Sequence, residues 1–403
     1  MTHPFFQSEN KSIETDIVVV GAGLVGLAAA IAFAKQGKNV ILVDANNAEI
    51  KQKNTWDERV YALTPATETW LSELNIWLHV DKSRVNNISA MHIWNADAAL
   101  LLADSDANLP KIGVIIENQN LQKALWQLIK TLGVTVLKGA QCVSLHYTAH
   151  DIQLGLQGGS LQNDSLQSEI TIIAKLIVAA DGVNSWLRSQ AGIMIRKKSF
   201  HQTAIVANFL AEKNHGNIAR QWFAPHDTLA LLPLPGQHVS MVWSVSTQKA
   251  AQLLLFNADE LAQSVYEQAK GVLGDLKLVG KTLSFELNQQ TASKLIAERM
   301  VLVGDAAHQI HPLAGQGVNL GFRDVMKLTE QTTKCQDVGD YNVLRQYERS
   351  RAADIATMNA LTTGLDNLFA SENSFVKMMT RRGLHQLNQQ TGIKKLLIQQ
   401  AAT

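Results

Sequence analysis

Apolar runs and helix-spaced patterns alternate along the first half of this chain in the order of a layered α/β protein. Asp16 to Val20 reads as a strand, Leu27 to Gln36 as a helix closed by Gly37, and Asn39 to Val43 as a second strand ending at Asp44. Val134 to Leu137 and Gln141 to Leu145 are short strands, Ile152 to Leu156 and Ile170 to Ala174 form a hairpin across the polar loop Gln157 to Ser168, and Leu176 to Ala180 is a buried strand. From Phe200 the pattern changes to β-like runs at His201 to Leu210, Arg220 to Phe223, Thr228 to Leu234 and His238 to Ser246, broken by Pro225, Pro233, Pro235 and Gly236. In the last run Val239, Met241, Trp243 and Val245 alternate with His238, Ser240, Val242 and Ser244, which predicts a half-buried strand. A helix from Ala258 to Val272 and a strand from Thr282 to Asn288 follow. Met300 to Val303 then reads as a buried strand and Val318 to Thr332 as a helix, and from Asp324 on the chain is helical.

The expected fold class is α/β: a Rossmann-like domain, an antiparallel sheet inserted into it, and a helical C-terminus. The boundaries read as 1–198 for the first part of the Rossmann-like domain with small β insertions, 199–290 for the inserted sheet, 291–335 for the return, and 336–403 for the helical region. One face of the inserted sheet must pack on helices and the other can roof a pocket. Trp222, Leu231, Pro233 and Trp243 are the expected apolar lining, with Phe223 and Leu229 beside them.

Composition narrows the function classes. With 46% apolar residues a large core is within reach, and a formal net charge of +1 gives no reason to expect nucleic acid. Cys142 and Cys335 are the two cysteines and are far apart, so neither a disulfide framework nor a metal site is expected. Met1 to Asp16 carries Glu9, Glu14 and Asp16 and does not read as a secretory signal, and no run of 18 apolar residues reads as a membrane span, so a cytoplasmic location is expected. From Asn373 to the end there is no acid, while Lys377, Arg381, Arg382, Lys394 and Lys395 are spread among apolar residues. Such a tail suits an anionic membrane surface, a packed terminal helix or a subunit contact.

Two glycine-rich turns carry the chemistry. Gly21-Ala22-Gly23-Leu24-Val25-Gly26 lies between a strand and a helix and is followed by a strand ending in Asp44, the context of a dinucleotide fingerprint. Gly21 makes the turn, Gly23 lets backbone approach pyrophosphate, Gly26 sets helix against strand, and Asp44 holds a ribose hydroxyl. Gly304-Asp305 places a carboxylate at the end of another strand. Gly315 and Gly317 then allow bare backbone beside something flat and bulky, where a helix begins with unpaired N–H groups and the positive end of its dipole. A second, distant carboxylate is of no use to NAD but suits the ribityl chain of FAD.

Gly304-Asp305-Ala306-Ala307-His308, His311-Pro312 and Gly315-Gln316-Gly317-Val318-Asn319-Leu320-Gly321 together resemble the second FAD signature of the aromatic-ring flavin monooxygenases, whose fold is that of para-hydroxybenzoate hydroxylase. The string is most similar to the ubiquinone-biosynthesis hydroxylases. The resemblance spans essentially the whole chain and implies FAD contacts at Gly21, Gly23, Leu24, Val25, Gly26, Asp44, Val143, Gly304, Asp305, Pro312, Gly315, Gln316, Gly317, Val318 and Asn319. It also places Arg59, from Asp57-Glu58-Arg59, against the flavin and its phosphates. Asn118 stands where many relatives carry arginine, and Asp181-Gly182 is the family's middle motif, with Asp181 capping the next helix and Arg188 near the diphosphate.

The implied reaction is reduction by NAD(P)H, visiting transiently, then reaction with dioxygen to a flavin hydroperoxide that hydroxylates a polyprenylated phenol. Residues 180–188 and 345–351 look most like the branch acting on 2-polyprenylphenol. His308 and His311 are candidates for a role in proton transfer or contact with the phenol oxygen, with a histidine that fixes the loop as the alternative, and Pro312 is a further candidate for the catalytic site. Contact with the inner face of the plasma membrane or with other ubiquinone-biosynthesis proteins, and a homo-oligomer, are compatible partners. Hydroxylation at another ring position, a flavin reductase or cyclase acting on isoprenoids, and an FAD-holding subunit without catalysis remain alternatives.

Overall fold

The strand Ile170–Ala179 is shared by two arrangements and holds the first sheet together. In the computed structural model, which describes residues 11–46, 55–96, 98–161, 164–165, 169–310, 317–370, 382–383 and 385–402, this strand lies parallel to Lys11–Val20 along its length. Its carboxyl half also takes Met300–Leu302 in parallel, while its amino half pairs antiparallel with Ile152–Gln157, and that strand pairs with the edge strand Gln141–Tyr147. On the other side of Lys11–Val20 come Val40–Asp44 and then Thr135–Lys138, both parallel. Parallel strands covered on both faces read as unbroken apolar runs, and Ile17, Val18 and Val19 are fully buried. The helix Leu24–Lys35 is apolar on nearly every side because it sits between the sheet and the helices Asn118–Ile129 and Gly317–Thr332.

The second sheet has eight strands. Across it run His308–Gln309, Leu276–Ala292, Ile195–Ala211, His238–Ser246, Asp227–Pro233, Ile218–Ala224, Ala90–Asn95 and Ala98–Ala103. Every pair is antiparallel except Ile218–Ala224 with Ala90–Asn95. A small third sheet joins Val60–Leu63 and Val85–Ile88 to Gly113–Glu117.

Several strands are longer than their local patterns predict. The expected Thr282 to Asn288 is the middle of Leu276–Ala292, and the expected His201 to Leu210 belongs to Ile195–Ala211. These two strands pair along nearly their whole length, with bulges near Ser199 and Val206, so their polar ends are carried by the ladder rather than by burial. The helix expected to reach Val272 stops at Gln268, opening on an Asn257–Glu260 capping box.

The expected pocket lining is on the wrong face of the sheet. Trp222, Leu231 and Trp243 are almost fully buried with Ile205, Phe209 and Val245 against the helices Thr247–Leu253 and Ala258–Gln268. Pro233 is buried two residues beyond Leu231, on the same side by strand alternation. Trp94 stacks on Trp222 with ring centroids 4.7 Å apart and planes 5° apart, and the Trp243 indole N–H donates to Asp227 at 2.6 Å. Trp243→Ala is therefore expected to lose about 3–5 kcal/mol of stability in urea denaturation while leaving the pocket on the opposite face intact.

Candidate functional site

The carboxyl ends of Lys11–Val20, Ile170–Ala179 and Met300–Leu302 meet beside the first glycine-rich turn, at the point where the chain crosses to opposite sides of the sheet. Gly21 has φ +103°, and a Cβ there would lie 2.3 Å from the Ala180 carbonyl oxygen. A Cβ on Gly26 would lie 1.9 Å from the Gly21 carbonyl oxygen, so the helix can approach the strand only as glycine. Gly23 differs: an added Cβ would meet nothing within 4 Å, and Gly23 caps the helix Leu24–Lys35 without any side-chain hydrogen bond. The first N–H groups of that helix therefore face open space, which suits an anion. Asp44 accepts the Ala22 N–H at 2.6 Å and the Asn46 N–H at 2.6 Å.

The Gly-Asp turn is built against the same helix. Gly304 adopts φ +59°, and Val25 packs between Gly304 and Gly321, each of which would bring a Cβ against the Val25 side chain. Beneath the turn, fully buried Asp324 accepts the Gly304 N–H at 2.9 Å, the Arg351 Nε–H at 2.7 Å, and faces His308 Nε2 at 2.6 Å. His308 is 2% exposed, so it fixes the loop through Asp324 and does not reach the cleft. Asp305 is exposed to solvent and lines the cleft. Desolvation there raises its pKa, partly opposed by His308 and Arg59.

A cavity of about 730 Å³ joins these turns to the second sheet. Gly23, Leu24, Val25, Gly26, Arg59, Asn118, Asp305, Gly317 and Val318 all line it, as expected from the sequence. Its roof is the sheet face opposite the tryptophans: Ala204, Val206, Ala219, Ala230, Val242 and Ser244, with Phe285 and Leu287 at one side. Small residues leave the space, and large ones fill the helix side. Filling that space with Ala230→Trp is expected to weaken binding of any aromatic ligand at least about tenfold, measured by titration, with little loss of stability.

Arg59 is held from behind. Its backbone N–H donates to Asp57, whose own N–H donates to buried Glu117 at 2.6 Å, and Glu117 takes two hydrogen bonds from Arg84 at 2.7 Å each. The Arg59 guanidinium then lies 5.0 Å from the centre of the Phe285 ring, inside the cleft. Tyr61 lines the cleft beside it, its phenol pKa raised by burial.

Other expected site residues stand elsewhere. Val143 is 39% exposed on the edge strand Gln141–Tyr147 and is not part of the cavity wall. Asp181 Oδ2 accepts the Leu187 N–H at 3.2 Å, behind the N-cap Ser185, so it does cap the helix, while its neighbours Ala180 and Gly182 face the cavity. Arg188 is 3% exposed and donates to the carbonyls of Ala306 and Val183, which makes it a brace for the Gly-Asp turn rather than a group facing the cleft. Asn319 spends its side chain on the Thr64 N–H and the Ala62 carbonyl, tying the helix to the third sheet. His311, Pro312, Gly315 and Gln316 lie outside the described residues. Tyr61, Phe285 and Gln309 line the cavity without having been singled out; nearness to Arg59, two residues before it, was the available signal for Tyr61.

The residues fit FAD. Bare backbone with open space at Gly23, an uncapped helix start and a carboxylate facing the same cleft are what a diphosphate and a ribityl chain require.

Comparison with known proteins agrees with this geometry. The family model described as FAD binding domain matches residues 14–361. A ubiquinone hydroxylase of Rhodospirillum rubrum is 31% identical over 393 residues, covering 96% of this chain and 89% of that protein. The 3-demethoxyubiquinol 3-hydroxylase of Escherichia coli is 32% identical over 363 residues, covering 88% and 89%. Among solved structures, a p-nitrophenol 4-monooxygenase from Pseudomonas putida superposes with a TM-score of 0.77 at 16% identity, covering 97% of this chain and 98% of that one, a likeness of fold.

Proposed function

We propose, from the premise that this chain belongs to the FAD-binding-domain family and within it to the ubiquinone-biosynthesis hydroxylases, that it hydroxylates the ring of a polyprenylated phenol. It is an FAD-dependent aromatic-ring monooxygenase that uses dioxygen and is reduced by NAD(P)H. The observation that carries the substrate reading is the cavity itself, in which a face of small apolar side chains lies opposite the two glycine-rich turns.

In this reading Gly23 to Gly26 and the start of the helix Leu24–Lys35 would hold the diphosphate, Asp44 and Asp305 would take ribose and ribityl hydroxyls, and Arg59 would supply positive charge to the same cleft. FAD held there would supply the redox chemistry, electron transfer from NAD(P)H and activation of dioxygen. The chain's own part is placement and the exclusion of water: Phe285, Leu287 and Val242 close the cleft around a ring, and Arg59 offsets negative charge in a site of low dielectric. His308 takes no proton from substrate because it is enclosed with Asp324. A prenyl tail would add affinity at about 0.8 kcal/mol per buried methylene.

The division into an FAD-binding domain and a substrate domain over 199–290 is part of the same proposal, extended by Ala90–Asn95 and Ala98–Ala103, which share the substrate sheet. The motifs at 180–188 and 345–351 support 2-polyprenylphenol as substrate, and the likeness to a 3-demethoxyubiquinol 3-hydroxylase supports another ring position. Lipid extracts from a strain lacking the protein decide between them by which prenylated phenol accumulates. Unchanged ubiquinone in that strain would count against both. Label from ¹⁸O₂ in the product ring separates hydroxylation from a reductase or cyclase.

Among the described residues no helix is long and apolar enough to cross a membrane. Peripheral contact is proposed through the helix Thr391–Ala402. There Lys394 is turned inward to Asp106 at 2.7 Å and Ile398 is buried, while Ile393, Leu396 and Leu397 face outward. Flotation with anionic vesicles checks it, and recovery of all the protein in the unbound fraction would refute it.

A further inference from the structure

Gln309 and Gln290 stand directly opposite each other where His308–Gln309 pairs antiparallel with Leu276–Ala292. Gln309 lines the cavity, whose wall continues along the partner strand from Phe285 to Asn288, and Gln290 stands just beyond that wall. Both glutamines have the same defect: Oε1 is buried and has no hydrogen-bond partner, and Gln290 is only 8% exposed. A buried amide oxygen left unsatisfied is costly, and two adjacent ones mark a place where a hydrogen-bond donor is missing.

We infer that this pair is the acceptor for the ring hydroxyl of the substrate, with Gln309 making the contact and Gln290 positioning it. The two ends of a side-chain amide have the same shape. Opposed residues across an antiparallel pair have Cβ atoms about 4.5–5.5 Å apart, within reach of two glutamine side chains. With the Gln309 amide turned so that Oε1 faces the cavity, its Nε2 donates inward to Gln290 Oε1. Both stranded oxygens are then used, one by Gln309 and the other by an O–H in the cleft. His308, the preceding residue, points to the opposite side into Asp324, so the strand that fixes the loop also aims Gln309 at the ligand. The ligand class this selects is a free phenol rather than its alkyl ether, because only the phenol has a proton to donate. The inference rests on the phenol reading above and adds the residues that recognise the hydroxyl.

Binding of a short-chain prenylated phenol and of its methyl ether to the FAD-loaded protein, followed by the change in flavin absorbance, tests the assignment. Wild type is expected to favour the phenol by about threefold to tenfold, the worth of one neutral hydrogen bond. Gln309→Met should remove that preference by weakening the phenol alone, and Gln290→Leu should reduce it. Thermal midpoints of both variants, expected at or above wild type because a stranded oxygen is gone, show that they fold. An undiminished preference in Gln309→Met overturns the glutamine assignment and leaves the phenol reading standing. Failure of wild type to bind either compound overturns both.

Discussion

Replacing Asp324 with leucine is expected to cost about 3–5 kcal/mol of folding stability, and FAD retention with it, because removing one partner strands a buried charge. Arg351 is 4% exposed and gives its Nε–H to Asp324, so it would be left with a buried positive charge answered only by Asp354 and a backbone carbonyl. The Gly304 N–H and His308 would lose the group that holds both ends of the Gly-Asp turn. Arg351→Met added to Asp324→Leu should return a good part of the loss, since an apolar pair of similar volume replaces an ionic one at little net cost. Urea denaturation of the two single variants and the double variant measures this. A single variant within about 1 kcal/mol of wild type would remove Asp324 from the explanation of the turn.

The same carboxylate sets a pH limit. Burial alone would raise the Asp324 pKa, but His308, Arg351 and the Gly304 N–H outweigh it and hold the group below the ordinary carboxylate range. A lowered folded pKa contributes stability that is complete above the unfolded value and is lost as pH falls through the folded one. Wild type is therefore expected to lose stability steeply below about pH 4, and Asp324→Leu to show a shallower fall there.

The second large effect separates two glycines of one turn. Gly26→Ala forces a Cβ to within 1.9 Å of a backbone oxygen, and nothing flexible is there to yield. A loss of about 3 kcal/mol or more is expected for the protein without its cofactor. Gly23→Ala places its methyl group in open space, so stability without cofactor should stay within about 1 kcal/mol. In the proposed site that methyl group would stand where the diphosphate approaches, and FAD affinity should fall at least about tenfold. Calorimetry without cofactor and fluorescence titration with FAD read the two effects separately. Wild-type affinity in Gly23→Ala would place the diphosphate elsewhere.

What the sequence made legible was local. Strand, turn and helix from Asp16 to Lys35 follow from an apolar run, three glycines and a helical repeat, whereas the polar start of the strand, Lys11 to Thr15, is carried by pairing, and Asp44 and Asp305 fall where strands end. The face of the second sheet was misread because His238–Ser246 is buried on both sides, so alternation shows two faces without saying which meets helices. Side-chain volume held the answer: Trp243, Leu231 and Trp222 fill, whereas Val242, Ala230 and Ala219 leave room. Ala90–Asn95 gave no sign of its sheet because its partner, Ile218–Ala224, is remote in sequence and parallel to it. Asn319 belongs to a recognisable motif, yet its side chain serves the third sheet, a contact that depends on how two distant segments meet.

The pairing of Lys11–Val20 with Ile170–Ala179 also has a consequence during synthesis. The first strand leaves the ribosome roughly 160 residues ahead of this neighbour, an interval of about 8–30 s at ordinary elongation rates. For that time an apolar strand has one exposed edge and only Val40–Asp44 beside it, an edge open to mispairing until Ile170–Ala179 emerges.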